Sequence, residues 1–390
     1  MPNKKQIVFV EPDFSMSVFN MAKTLKSTNN YETILISFAN INKDLPSQAY
    51  DKIFNLKLDY LITPKNILKI WKKLQSREGK IFMNNIKKLN PYIVQVTGPH
   101  ILSLITLKLM KKYQRVYFVH DIWQYYGAKF SLKGPGKMHY LNGLIDRLSF
   151  KNCDGILNKC GEGALDYTKE KPKVPYLDFL PYCLDKLIIQ NYPEKLSRKD
   201  NEIHIVYPGC TWIHWEGHVS FVDVINKITS QKIHFHLYAS TLGEGGEEIF
   251  KNMEKTNKYF HIHPVEPVNI LNKSLSKYDY GIIPDFCDDS INSVWMKTGI
   301  SGKLFSYIES GLPVIVNKQF KFMDNIMAKN NMSISVSYED LSSLKKIITK
   351  YKYPTKDQIK KQQEDFKISN HIQDLKEFYT KIHKLKRNKV

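Results

Sequence analysis

Residues 297–316, KTGISGKLFSYIESGLPVIV, combine the side chains best suited to hold an anion. Gly302 and Lys303 precede an amphipathic helical pattern, and Gly311, Pro313 and the β-branched run 314–316 read as a helix stop followed by a buried strand. The mouth of such a helix offers backbone N–H groups, a positive dipole end and an ammonium to a diphosphate. A second candidate is the pair His120 and Asp121, directly after the strand-like run RVYFV. Ligands of open parallel sheets bind beyond the carboxyl ends of strands, where a histidine can take a proton from a hydroxyl and a carboxylate can orient it. A purely structural histidine closing a strand fits the same two residues.

Three more stretches carry chemistry-bearing residues. In PGCTWIHWEGH, Gly209 lets a ligand approach the backbone, while Trp212 and Trp215 offer flat apolar surfaces beside Gly217. YGIIP ends in a strand that delivers Asp285 to the same edge. His234 with His236, and His261 with His263, sit two apart in strand-like runs and could ligate a metal, but no carboxylate accompanies them at ligand spacing, so no metal site is expected. The loop GEGGEE resembles a phosphate loop only in its glycines, because its three glutamates repel a phosphate.

The elements that must position these residues alternate. Strand-like runs near 6–10, 31–38, 92–96, 115–119 and 153–159 are separated by helical patterns, which predicts a parallel α/β sheet. The pattern stops across residues 188–202, polar and charged, and resumes at 204–207 with a second alternating set. We therefore expect a first domain over 1–187, a linker over 188–202, a second domain over 203–352 and a basic helical tail over 353–390 that packs back on the first domain.

With 390 residues the chain is long for one core, and a hydrophobic content of 42% with 12% aromatics excludes a disordered chain. The amino terminus shows no secretory pattern and no apolar stretch is long enough to span a bilayer, so a cytoplasmic protein is expected. Five scattered cysteines without a CxxC pair support reduced core thiols rather than disulfides or zinc. A formal net charge of +20 calls for an anionic partner, or else reflects lysines solvated over the whole surface. Ile67, Ile70, Trp71 and Leu74 form an apolar stripe among Lys72, Lys73 and other lysines. That stripe reads either as an ordinary helix packed on the sheet or as an interfacial helix on an anionic membrane. No DNA- or RNA-binding module is recognisable, so nucleic acid is not an expected partner.

Taken together, these residues resemble the GT-B glycosyltransferases, and among them the retaining glycosyltransferase family 4 (glycosyl transferases group 1). GKLFSYIESGLPVIV is similar to the family's K-x-FEY-x-A-x-G-x-PVI segment, and YPGCTWIHWEGH to the first loop of its second domain. FVHDIW is similar to its first-domain strand followed by HD, and SLSKYDYGIIP to its approach to the donor pocket. The resemblance implies an α/β protein of two Rossmann-like domains whose parallel sheets face an interdomain crevice. The second domain would hold a nucleotide-sugar through Gly209, Trp215, Gly217, Asp285, Gly302, Lys303, Ser306 and Glu309. The first domain would present a glycan or lipid-linked acceptor near His120 and Asp121, with no cofactor and no required metal. Lys303 would neutralise charge building on the leaving diphosphate. The chain departs from the pattern at Ser306, which stands in place of the family's ribose-binding glutamate, at Thr298, where the earlier glutamate of that pair would fall, and at Glu216, where lysine is common. A sugar transferase of cell-surface glycan synthesis is the leading reading. A nucleotide-sugar epimerase or another acceptor-free enzyme of the same fold is the neighbouring one, and a basic nucleic-acid binder is the third.

Overall fold

The structure is a computed structural model that describes residues 4–12, 15–38, 44–58, 67–122, 136–161, 163–168, 172–211, 218–243, 245–287 and 293–387. It divides into two compact units, Met1–Tyr182 with Ile368–Val390, and Cys183–Lys367.

In the first unit the strands are β1 (Lys5–Glu11), β2 (Tyr31–Ser37), β3 (Lys52–Asn55), β4 (Ile93–Gly98), β5 (Arg115–Val119), β6 (Gly155–Asn158) and β7 (Tyr176–Asp178). All pair in parallel, in the order β3-β2-β1-β4-β5-β6-β7. Val, Ile and Phe of β1, β4 and β5 are fully buried, as expected for a sheet covered on both faces by helices. The helix Ile368–Arg387 belongs to this unit: Tyr379 Oη donates to Gln95 Oε1 at 2.5 Å, and His383 stacks on Tyr92 with centroids 4.0 Å apart. A Cβ on Gly155 would come within 2.5 Å of Ile382, so β6 and this helix meet because position 155 carries no side chain.

The second unit contains β8 (Ile203–Gly209), β9 (Ile233–Ala239), β10 (Phe260–His263), β11 (Tyr280–Ile283), β12 (Val314–Asn317) and β13 (Ser333–Val336). They too are parallel, in the order β10-β9-β8-β11-β12-β13. One face of β8 and β9 presents Ile205, Tyr207, Ile233, Phe235 and Leu237 to an apolar core that includes Phe221 and Phe250. The opposite face carries histidines, because strand side chains alternate.

Three expectations about organisation need correction. The stretch expected as a linker belongs to the second unit, because Leu196 N–H donates to Lys277 O at 2.9 Å and Ser197 Oγ to Asp279 Oδ1 at 2.5 Å. Within the expected tail, the helix Lys356–Asp365 also belongs to the second unit, where Gln363 Nε2 donates to Ile308 O at 3.1 Å. The apolar stripe lies within one helix, Ile67–Gln75, and a second, Arg77–Lys87, follows it, with Ser76 Oγ capping the second by accepting from Gly79 N–H at 3.1 Å. Ile70 is buried, which excludes it from an interfacial face, whereas Trp71 is 62% exposed. Leu74 and Lys73 are half-buried, Lys72 is exposed, and Lys73 pairs with Glu78 at 2.7 Å. Of Ile67 only the helical backbone is described. Among the described residues no helix is long and apolar enough to cross a membrane.

Candidate functional site

Each unit winds its sheet outward from its first strand in both directions, so the winding reverses between the first and fourth strands. The loops beyond the carboxyl ends of those two strands diverge and leave room for a ligand. In the second unit these are β8, ending at Gly209, and β11, followed by Asp285.

Lys303 reaches this point from the helix Gly302–Glu309. That helix is pinned to the sheet by Tyr307, whose buried hydroxyl lies 2.8 Å from Ile282 O and 3.1 Å from Val206 O. Gly281 makes the approach feasible, since a Cβ there would lie 2.5 Å from the Tyr307 ring. Gly311, at φ +67°, then ends the helix. With the helix fixed, Lys303 runs across Gly209: a Cβ on Gly209 would stand 2.3 Å from Lys303 Cε and 3.2 Å from Nζ. The ammonium lies 5.2 Å from the Tyr207 ring centroid.

Burial pushes the Asp285 carboxyl above its ordinary value, and the Lys303 charge offsets part of that rise. Burial also raises the Cys210 thiol, but hydrogen bonds with Ser240 and Thr241, together with Lys303, outweigh it and leave the thiol below its usual value. No acidic residue occupies the first turn of Gly302–Glu309, and the Cβ direction of Gly302 meets open space. The helix mouth is therefore open to an anion on its backbone side. Ser306, half-buried, is three residues after Lys303 and shares its side of the helix.

Glu309 lies elsewhere. Six residues beyond Lys303 it is turned about 240° around the helix. Its carboxylate is buried, accepting from Asn272 Nδ2 at 2.7 Å and from Leu184 N–H at 3.2 Å. The structure thus gives Glu309 an internal anchoring position rather than the donor contact expected of it. Trp215 and Gly217 lie outside the described residues. The loop after β9 borders an open space of about 610 Å³ lined by Ser240, Thr241, Gly243, Glu247 and Glu248. Two glutamates there oppose a phosphate, as the sequence implied.

In the first unit His120 and Asp121 follow β5 as expected, with His120 Nδ1 3.2 Å from Asp121 Oδ2. The sequence did not reveal Lys159, at the end of the neighbouring β6. Its Nζ lies 3.1 Å from His120 Nδ1 and 3.9 Å from Asp121 Oδ1, and its side chain is only 6% exposed. Burial raises the Asp121 carboxyl, but Lys159 and His120 outweigh burial and hold it below the usual carboxylate range. An ionised carboxylate, an imidazole and a buried ammonium at one sheet edge can orient a hydroxyl and stabilise charge on it. The signal for Lys159 was its place just after the strand-like run GILN, one strand over from RVYFV. Glu11, at the end of β1, is enclosed: it accepts from Ser15 N–H and Tyr50 Oη, each at 2.8 Å, and burial pushes it up to about 8.

Cys153, Cys160 and Cys183 are buried, as expected of core thiols, but Cys210 is exposed and Cys287 half-buried. The structure also brings the carboxylates of Asp200 and Glu202 to the histidines of β8 and β9, which the sequence reading did not anticipate.

Two doubly wound parallel units in one chain, with the carboxyl edge of the second arranged around a lysine-bearing helix mouth, are the architecture of the GT-B fold. No protein-family model and no curated protein sequence matches the chain, whereas solved structures do. It is similar to the pneumococcal O-GlcNAc transferase GtfA, solved with UDP and GlcNAc, at a TM-score of 0.62 and 10% identity over 97% of this chain and 99% of that one. TarM matches at a TM-score of 0.61 and 9% identity over 98% and 99% of the two chains. A UDP-N-acetylglucosamine 2-epimerase matches at 0.53 and 11% over 94% and 91%.

Proposed function

We propose that the chain is a glycosyltransferase related to retaining family 4, moving a sugar from a nucleotide-sugar to a glycan or lipid-linked acceptor in the synthesis of cell-surface polysaccharide or glycoconjugate. The observation that carries this reading is the Lys303 ammonium laid across Gly209 at the open mouth of Gly302–Glu309. There the ammonium and the backbone N–H groups would take the diphosphate of the donor, with Ser306 toward the ribose and no step routed through a metal. The bond from the sugar C1 to the phosphate oxygen breaks, the acceptor oxygen bonds to C1, and the acceptor proton passes to the departing phosphate. In the first unit His120, Asp121 and Lys159 position the acceptor.

Neighbours of the same fold bind UDP, so UDP-sugars head a thermal-shift screen that also includes GDP-, ADP- and CMP-sugars. Lys303→Ala should weaken donor binding by ~10–100-fold, the worth of a hydrogen bond to a charged group, and abolish most turnover with the fold intact. Unchanged transfer by that variant would overturn the assignment. The epimerase of the same fold supports a second reading, which predicts isomerised product from nucleotide-sugar alone.

A peripheral contact with an anionic membrane on the cytoplasmic side completes the proposal, with Trp71 and Lys72 as the contact. Flotation with anionic vesicles that is unaffected by Trp71→Ala would refute that part.

A further inference from the structure

The second sheet carries five histidines on one face, and none of them serves the site described above. His204 is beside His234 in the β8–β9 register, and His236 beside His261 in the β9–β10 register, with His263 two residues on. The His204 and His234 rings stack within 5° of parallel, centroids 4.5 Å apart.

They form two hydrogen-bonded chains, each ending on a carboxylate. His204 Nε2 lies 3.0 Å from Asp200 Oδ2, His204 Nδ1 2.9 Å from His236 Nε2, and His236 Nδ1 3.0 Å from His263 Nε2. His234 Nε2 contacts Glu202 Oε2, and its Nδ1 lies 2.8 Å from His261 Nε2. With neutral imidazoles and an ionised carboxylate, which only accepts, both chains run with every proton on Nε2.

We propose that this amino-terminal edge is a site for a divalent transition-metal ion, with His204 Nε2, His234 Nε2 and the carboxylates of Asp200 and Glu202 as ligands. One ligand atom from each of Asp200, Glu202 and His234 lies within 4.8 Å of the others, and His204 Nε2 adjoins that group at Asp200 Oδ2, 3.0 Å away, so His204 must draw in with the other three to reach the roughly 3.3 Å ligand spacing of a tetrahedral zinc site. Two imidazoles with two carboxylates suit zinc, cobalt or nickel better than calcium or magnesium, which prefer oxygen alone.

The surroundings meet the other requirements of a metal site. Each ligating ring is backed at Nδ1 by another histidine, the second contact that fixes a ligand's orientation. Asp200 and Glu202 side chains are 42% and 34% exposed, which leaves an entry path from solvent. Two carboxylates also balance the charge of the ion. On coordination the Nε2 protons of His204 and His234 leave. Both rings then carry a proton on Nδ1 and donate it to His236 and His261, and each chain takes up a proton at Nδ1 of its far ring. The number of protons on each chain is unchanged.

Five residues of extended strand separate His204 from Gly209, roughly 16 Å, so the ion would brace the sheet rather than touch a donor.

The test uses untagged full-length protein in a Cys210→Ser/Cys287→Ser background, stripped with chelator and dialysed against Zn²⁺ or Co²⁺. One ion per chain, a raised melting temperature and the ligand-field absorption of four-coordinate Co²⁺ are expected. Asp200→Asn/Glu202→Gln keeps acceptors for both imidazoles, so it should melt as the parent does without metal while losing the ion. His261→Gln should weaken binding by ~10–100-fold through its effect on His234. Uptake no greater than that of the carboxylate double variant, or Co²⁺ that keeps its buffer spectrum, would overturn the proposal. Neither outcome depends on glycosyl transfer.

Discussion

Replacing Glu309 by glutamine should stabilise the protein, and do so increasingly as the pH rises. The carboxyl is sealed between Leu184 N–H and Asn272, and burial pushes it from an ordinary 4.5 up to about 7, although both hydrogen bonds act in the opposite direction. Between these values the folded chain holds a proton that the unfolded chain has released. Stability contributed by the protonated form is therefore complete below about pH 4.5 and drains away as the pH rises to about 7, by about 3 kcal/mol in all. Glutamine has no such proton to lose. Its Oε1 can still accept from Leu184, and its amide can donate to Asn272 Oδ1, which lacks a partner in the wild-type arrangement. Urea unfolding of variant and wild type, compared at pH 4.5, 6 and 8, isolates this one group from all others that titrate. The variant's advantage should widen by about 3 kcal/mol across the series, on the order of 10 °C in melting temperature for a unit of this size. A difference that stays flat over the same range would refute the reasoning, since it would mean that Glu309 ionises as freely inside the unit as in water.

Three further outcomes follow from the geometry. Gly209→Ala places a methyl where Lys303 Cε now lies, at a φ of +147° that costs about 1–3 kcal/mol, and should lower nucleotide-sugar affinity about tenfold or more; titration calorimetry showing parent-like affinity would contradict it. Lys159→Met removes the cation that keeps Asp121 ionised against burial, so the acidic limb of the activity profile should move to higher pH, whereas an unmoved limb separates Asp121 from the chemistry. Cys210 should be alkylated well before Cys153 and Cys160, whose thiols burial pushes up to about 12, and a bound donor should slow it; peptide mass mapping reads both.

The central strands were readable because Val, Ile and Phe runs buried on both faces leave a continuous apolar signal, as in IVFV of β1 and VIV of β12. The strands β3 and β7 were not, since a short edge strand such as KIFN is half solvated and carries too few apolar residues to stand out. Lys303 was legible for a local reason: glycine, lysine, helix and stop are contiguous. Lys159 and the carboxylate ends of the histidine chains were not, because they reach their partners only through strand register, across 39 residues in one case and 32 in another. The inward turn of Glu309 could have been read from helical phase, given Lys303 as the outward reference. The buried side of Ile70 needed the core itself.

The first unit is closed by a helix that the ribosome makes only after the whole of the second unit. Ile368–Arg387 fills the space over Gly155 and buries Phe378, Tyr379 and Ile382, yet it emerges only after the whole of Cys183–Lys367. At ordinary elongation rates that is a wait of roughly 10 to 40 s, during which a seven-stranded sheet lacks part of its cover. The whole of the second unit is made within that interval, so the first sheet to be synthesised is the last to receive its cover.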